Sequence, residues 1–203
     1  PGEGDHKAGG IKISHSAGAI IRRANVHDNT IGIWCDISCS SMTIDTNTVA
    51  DNSRRGIQYE ISYGCTIRGN TFTGNGSRES GASAAAVWIA QSTNCEVLNN
   101  TFGAGNKVAV MGTDRDRGTG TQGTYKLTGL DVHHNTIAQT SGTVGGVQDQ
   151  SASRDPFSAS ASPTRRHRCC CGTGCSRRLW SGGIKTRTQW DDVQDAGSTF
   201  GGC

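Results

Sequence analysis

The chain runs to 203 residues, rich in Gly (29) and poor in aromatics (5%), with a formal net charge of +3. So small a charge excludes nucleic-acid binding by electrostatics alone. No apolar run approaches the roughly 20 residues of a membrane-spanning helix, and no segment keeps the 3.6-residue stripe of an amphipathic helix.

Residues 1–9 read as a polar lead-in. The chain opens at Pro1 inside what already resembles repeat material, so the expectation is a fragment whose upstream turns are missing. From Gly10 onward a pattern recurs. Its step is Ala24-Asn25-Val26, Asn47-Thr48-Val49, Asn70-Thr71-Phe72, Asn100-Thr101-Phe102 and Asn135-Thr136-Ile137, spaced 23, 23, 30 and 35 residues apart. Three residues ahead of each step stand Ile21, Ile44, Ile67, Val97 and Val132. Two before those stand Ala19, Met42, Cys65, Cys95 and Leu130, and each copy opens near Ile11, Ile33, Ile57, Val87 and Val110.

Apolar columns with a period of two predict short strands with one buried face. A repeat in the low twenties is too short for a helical hairpin. The expected fold is therefore all-β: a right-handed parallel β-helix of five to six turns, each stacked about 4.8 Å from the last. The repeated Asn tolerates left-handed backbone and can bond its copies along the axis, so its role is structural. Asn29, Asn52 and Asn75 close the turns by the same argument.

Turn one spans 10–29, turn two 32–52 and turn three 56–75. A Gly/Ser-rich loop, 76–83, leads to turn four at 86–105. Turn five starts at Ala109 and is interrupted by the charged insertion 114–123, which reads as a solvated loop or as a functional one. A sixth strand is expected over 144–147.

The repeats are assigned to 1–149. Residues 150–178 form an irregular segment rich in Ser, Arg and Cys that reads as a stretch never selected to fold, as a shifted reading frame would give. His167, Cys171 and Cys175 there fit no four-ligand zinc spacing. A Trp-containing segment follows at 179–203. Cys65 and Cys95 share an inward column, which fits stacked small hydrophobes or a disulfide. The compartment does not follow from cysteine usage.

Alternation on the first strand of each turn sends Lys12, Trp34, Gln58, Trp88 and Met111 outward, followed by Ser14, Asp36, Glu60, Ala90 and Thr113. Two Trp, a Gln and a carboxylate pair are thus expected on one exposed face, with Tyr59 inward. Exposed indoles suit stacking on sugar rings. Stacked Asp36 and Glu60 repel unless something is gained. They could act as general acid and base or nucleophile in sugar-bond cleavage, bind Ca²⁺ through oxygen, or hydrogen-bond sugar hydroxyls. Neutralisation by Lys12, Arg54 or Arg55 is the purely structural alternative.

Gly32-Ile33-Trp34-Cys35-Asp36, Gly56-Ile57-Gln58-Tyr59-Glu60-Ile61-Ser62-Tyr63 and the Asn-Thr turns resemble bacterial right-handed parallel β-helix repeat proteins of the pectate-lyase-like superfamily. The resemblance extends to actinobacterial members with a Gly-x-Trp-x-Asp strand followed by a Tyr-Glu-Ile-Ser strand. It covers 10–149 and 179–200, and 151–178 departs from it. It implies a secreted or cell-surface, monomeric, carbohydrate-active protein, a hydrolase or lyase, with polysaccharide as partner. Asp36 and Glu60 would be catalytic, and Trp34, Gln58, Trp88 and Lys12 would hold substrate. Ca²⁺ is the one candidate cofactor. The alternatives are a glycan-binding or surface-structural solenoid and an inactive fragment of a larger enzyme.

Overall fold

The computed structural model describes residues 9–78 and 84–138 and the backbone of 145–149. The lead-in before Gly9, most of the Gly/Ser-rich loop, and the segments 150–178 and 179–203, with His167, Cys171 and Cys175, lie outside the described residues. The chain winds three strands per coil. Coil one holds β1 (Gly9–Ser14), β2 (Ile20–Arg22) and β3 (Asn25–His27); coil two holds β4 (Ile31–Asp36), β5 (Ser40–Asp45) and β6 (Thr48–Ala50). Coil three holds β7 (Arg55–Glu60), β8 (Tyr63–Arg68) and β9 (Thr71–Thr73), and coil four β10 (Ala85–Ala90), β11 (Thr93–Leu98) and β12 (Thr101–Phe102). In coil five β13 (Val108–Thr113) is followed by a small hairpin, β14 (Thr119–Gly120) and β15 (Gly123–Thr124). The coil then resumes with β16 (Asp131–His133) and β17 (Thr136–Ile137), and β18 (Gly145–Asp149) starts a sixth.

Equivalent strands stack into three parallel sheets of six, five and five strands, so the fold is a right-handed parallel β-helix as the repeat implies. The columns hold residue by residue. Ile11, Ile33, Ile57, Val87 and Val110 stack in the first sheet, and Ile21, Ile44, Ile67, Val97 and Val132 in the second. Val26, Val49, Phe72, Phe102 and Ile137 fill the third, where the rings of Phe72 and Phe102 lie parallel with centroids 4.8 Å apart. Each fully buried side chain of this kind contributes about 1.5–3 kcal/mol. Cys65 and Cys95 pair in register as buried free thiols, and burial pushes the Cys65 thiol well above its ordinary range. Tyr59 is fully buried, as expected, and donates its hydroxyl to the carbonyls of Tyr63 and Gly64.

Two amide ladders hold the corners. Asn47 donates its backbone N–H and its Nδ2 to Oδ1 of Asn70, both at 2.9 Å; Asn70 does the same to Asn100, and Asn100 to Asn135. The second ladder runs Asn29, Asn52, Asn75 and Asn106. Just before the first ladder the chain takes a left-handed residue in every coil: Arg23, Thr46, Gly69, Asn99 and His134, with φ between 53° and 63°. That conformation is uncommon for residues other than Gly, so the stack must enforce it.

Replacing Asn70 by Ala would leave the Asn47 N–H and one Asn47 Nδ2 hydrogen without their acceptor, take a donor from the Ile44 carbonyl, and leave Asn100 Oδ1 with the backbone N–H of residue 70 alone. At about 1–3 kcal/mol for each buried group left unpaired, partly relieved by water, the expected loss is about 3 kcal/mol, read from urea unfolding.

Candidate functional site

The outer face of the first sheet brings together the residues expected there. Lys12, Trp34, Gln58, Trp88 and Met111 form one row, and Ser14, Asp36, Glu60, Ala90 and Thr113 the next. Asp36 and Glu60 are direct neighbours across β4 and β7.

The expectation of an exposed face is corrected. Trp34 is 7% exposed, Gln58 4%, Asp36 9% and Glu60 8%; Trp88 is half-buried and Lys12 exposed. The cause is a layer of cations and a folded insertion. Lys12 Nζ lies 3.5 Å above the Trp34 ring and 3.2 Å from Asp36 Oδ2. Arg55 lies 3.8 Å above the Trp88 ring and donates from Nη1 to Gln58 Oε1 at 2.9 Å. Gln58 Nε2 in turn donates to Glu60 Oε2, and Arg117 of the insertion donates to Glu60 Oε1 at 3.0 Å. Cations above indoles are favourable by about 0.5–2 kcal/mol, more as water is excluded.

The insertion is not a loose loop. Its hairpin packs on the corner that follows β4 and β7. Tyr125 and Tyr63 stack with centroids 5.4 Å apart, beside Ile61. The Tyr125 hydroxyl pairs with Ser38 Oγ at 2.6 Å, and Tyr63 donates to the Gly123 carbonyl at 2.6 Å. At its base Asp114 Oδ1 accepts the Leu127 N–H. Gly120 lies directly against both tyrosine hydroxyls; a Cβ there would stand 2.6 Å from that of Tyr63.

Sequence reasoning missed two participants, and it named Arg55 only as a possible partner of the carboxylates, not as the cation over Trp88 and the donor to Gln58. Arg117 lies 57 residues from Glu60. Tyr125 follows the insertion with no apolar alternation to mark it.

Among the described residues no group of three or more His, Cys, Asp or Glu is placed to hold a metal ion. Ca²⁺ takes six to eight oxygens. With an oxygen of Asp36 on Lys12 and the oxygens of Glu60 on Arg117 and Gln58, the residues present do not fit it.

A family model described as the right handed beta helix region matches residues 4–102. The match and the stacked parallel sheets agree on the same class of protein, a right-handed β-helix. No curated protein and no solved structure matches the chain. No helix among the described residues is long and apolar enough to cross a membrane.

Gly120→Ala should unseat the hairpin. Losing the two tyrosine hydroxyl contacts, at about 1 kcal/mol each, should speed amide exchange over Thr119–Thr124 by about tenfold or more while the coils keep their protection.

Proposed function

We propose that the chain is a carbohydrate-recognising β-helix that binds polysaccharide on the outer face of its first sheet without cleaving it. One observation carries the reading. Two indoles flank an amide in one register-locked row, and Trp34 Nε1 is buried there with no hydrogen-bond partner. An unpaired buried donor is costly, and a sugar hydroxyl would satisfy it. Indole faces spaced along a rigid sheet suit the flat apolar sides of successive sugar units.

The cations on the two rings hold the face in the absence of a glycan, and a sugar ring would take their place over the indoles. An acid–base pair needs both carboxyls within reach of a substrate oxygen or a water. Here Lys12 holds an oxygen of Asp36, and Gln58 and Arg117 hold those of Glu60, which favours an orienting role. Cleavage by hydrolysis or elimination, with Asp36 and Glu60 as the acting pair, is the second reading, supported by their adjacency in the sheet. A secreted or cell-surface location and a monomeric state go with either.

A polysaccharide panel in affinity electrophoresis tests this. Trp88→Ala should abolish retardation by the glycan that binds. Arg117→Ala should bind at least as tightly as the parent chain, because Glu60 is released. No new reducing ends or unsaturated products should appear. Turnover that disappears in both Asp36→Asn and Glu60→Gln would overturn the binding-only reading in favour of the second.

A further inference from the structure

Trp34 Nε1 has a counterpart among the acceptors. Gln91 follows β10 at the corner of coil four, is 2% exposed, and its Oε1 is buried without a hydrogen-bond partner. The equivalent corner residues of coils two and three are Ile37 and Ile61. All three take left-handed backbone, with φ between 41° and 47°. An amide is thus not needed to build this corner, and an unpaired buried acceptor is a cost to the fold.

The amide is placed with a definite sense. Its Nε2 lies 3.3 Å from the Thr113 carbonyl oxygen and 3.5 Å from Thr113 Oγ1. A carbonyl only accepts, so the nitrogen faces Thr113 and the oxygen is turned away from it. Thr113 and Glu60 flank Ala90 on either side in the outer row of the first sheet, which sets the Gln91 corner beside Glu60. The insertion leaves β13 in coil five, places Arg117 on Glu60 in coil three and rests on Ser38 in coil two. It therefore crosses the corner of coil four and covers Gln91.

We infer that Gln91 is a specificity-determining residue: its Oε1 accepts a hydroxyl of a neutral sugar unit bound under the insertion, in a subsite that Glu60 and Thr113 also line. The inference rests on the glycan reading of the Trp face and extends it to the kind of sugar taken. Gln91 Oε1 can only accept, so it pairs with a hydroxyl and repels a carboxylate. Asp36 and Glu60 stand in register one coil apart, and their cations Lys12 and Arg117 are already engaged. A uronate brought there would set a third carboxylate against that pair. A site that pairs a buried polar group with a hydroxyl discriminates strongly against a ligand lacking it. The insertion lifts to admit the sugar unit and closes over it.

The test is affinity electrophoresis of the full chain in soluble β-glucan, mannan and galactan, each native and with its primary alcohols oxidised to carboxylates. The polymer that retards the chain should bind about tenfold more weakly, or worse, once oxidised. Gln91→Leu should weaken binding of the native polymer by about tenfold, the worth of one buried hydrogen bond, and narrow the gap to the oxidised form. Its urea midpoint should match or exceed that of the parent chain, because the unpaired acceptor is gone. Should Gln91→Leu bind like the parent while Trp88→Ala is no longer retarded, this assignment falls and the reading of the Trp face stands. Weaker binding accompanied by a lower urea midpoint would make Gln91 a structural residue and overturn the assignment too. If none of these polymers retards the parent chain, both fall together.

Discussion

The fold depends on one coil satisfying the polar groups of the next. A single coil of this chain has three short strands and several corners, and none can pair its own backbone. Parallel stacking supplies the partners along the strands, and the two asparagine ladders supply them at the corners, where strand pairing lapses. Buried backbone groups left unpaired would cost more than the small apolar core of each coil returns. The ladders are therefore the condition under which the aliphatic columns can stack, and their strict geometry fixes the register that the outer faces inherit.

That dependence explains what the sequence made legible. Repeated Asn and aliphatic columns are strictly spaced because stacking tolerates no slip, so the coil boundaries, the sixth strand near Val147 and the juxtaposition of Asp36 with Glu60 followed from alignment alone. Asn106, the last member of the second ladder, was not named. The lengthened fourth coil moves it 31 residues beyond Asn75, outside the 23-residue spacing. The exposure of the Trp face was misjudged for a different reason. Alternation tells which side of a sheet a residue takes, but not what lies above it. The insertion that reaches Glu60 is polar and aperiodic, and its docking residues Ser38, Tyr63 and Tyr125 come from separate coils.

The outer face of the first sheet illustrates how a solenoid handles charge. Stacked like charges on adjacent strands are unfavourable, yet Asp36 and Glu60 coexist because each has a cation drawn from a different place. Lys12 comes from the preceding coil, and Arg117 from an insertion two coils later. Lys12 and the neighbouring Arg55 also lie over the indoles of Trp34 and Trp88. The face is therefore rigid and chemically dense, with its polar groups committed mainly to one another. This is why its geometry favours recognition over bond cleavage.

The ladders also have a direction. In the first ladder each amide before the last gives one Nδ2 hydrogen to the oxygen of the later coil's Asn and turns its own oxygen toward the earlier coil, while its other hydrogen goes back to an earlier-coil carbonyl, Ile21 for Asn47 and Ile44 for Asn70. Such aligned dipoles reinforce one another in a low-dielectric interior. The stack is thus polar along its axis: within each ladder, a coil presents the next one with donors and never with the ladder's acceptor.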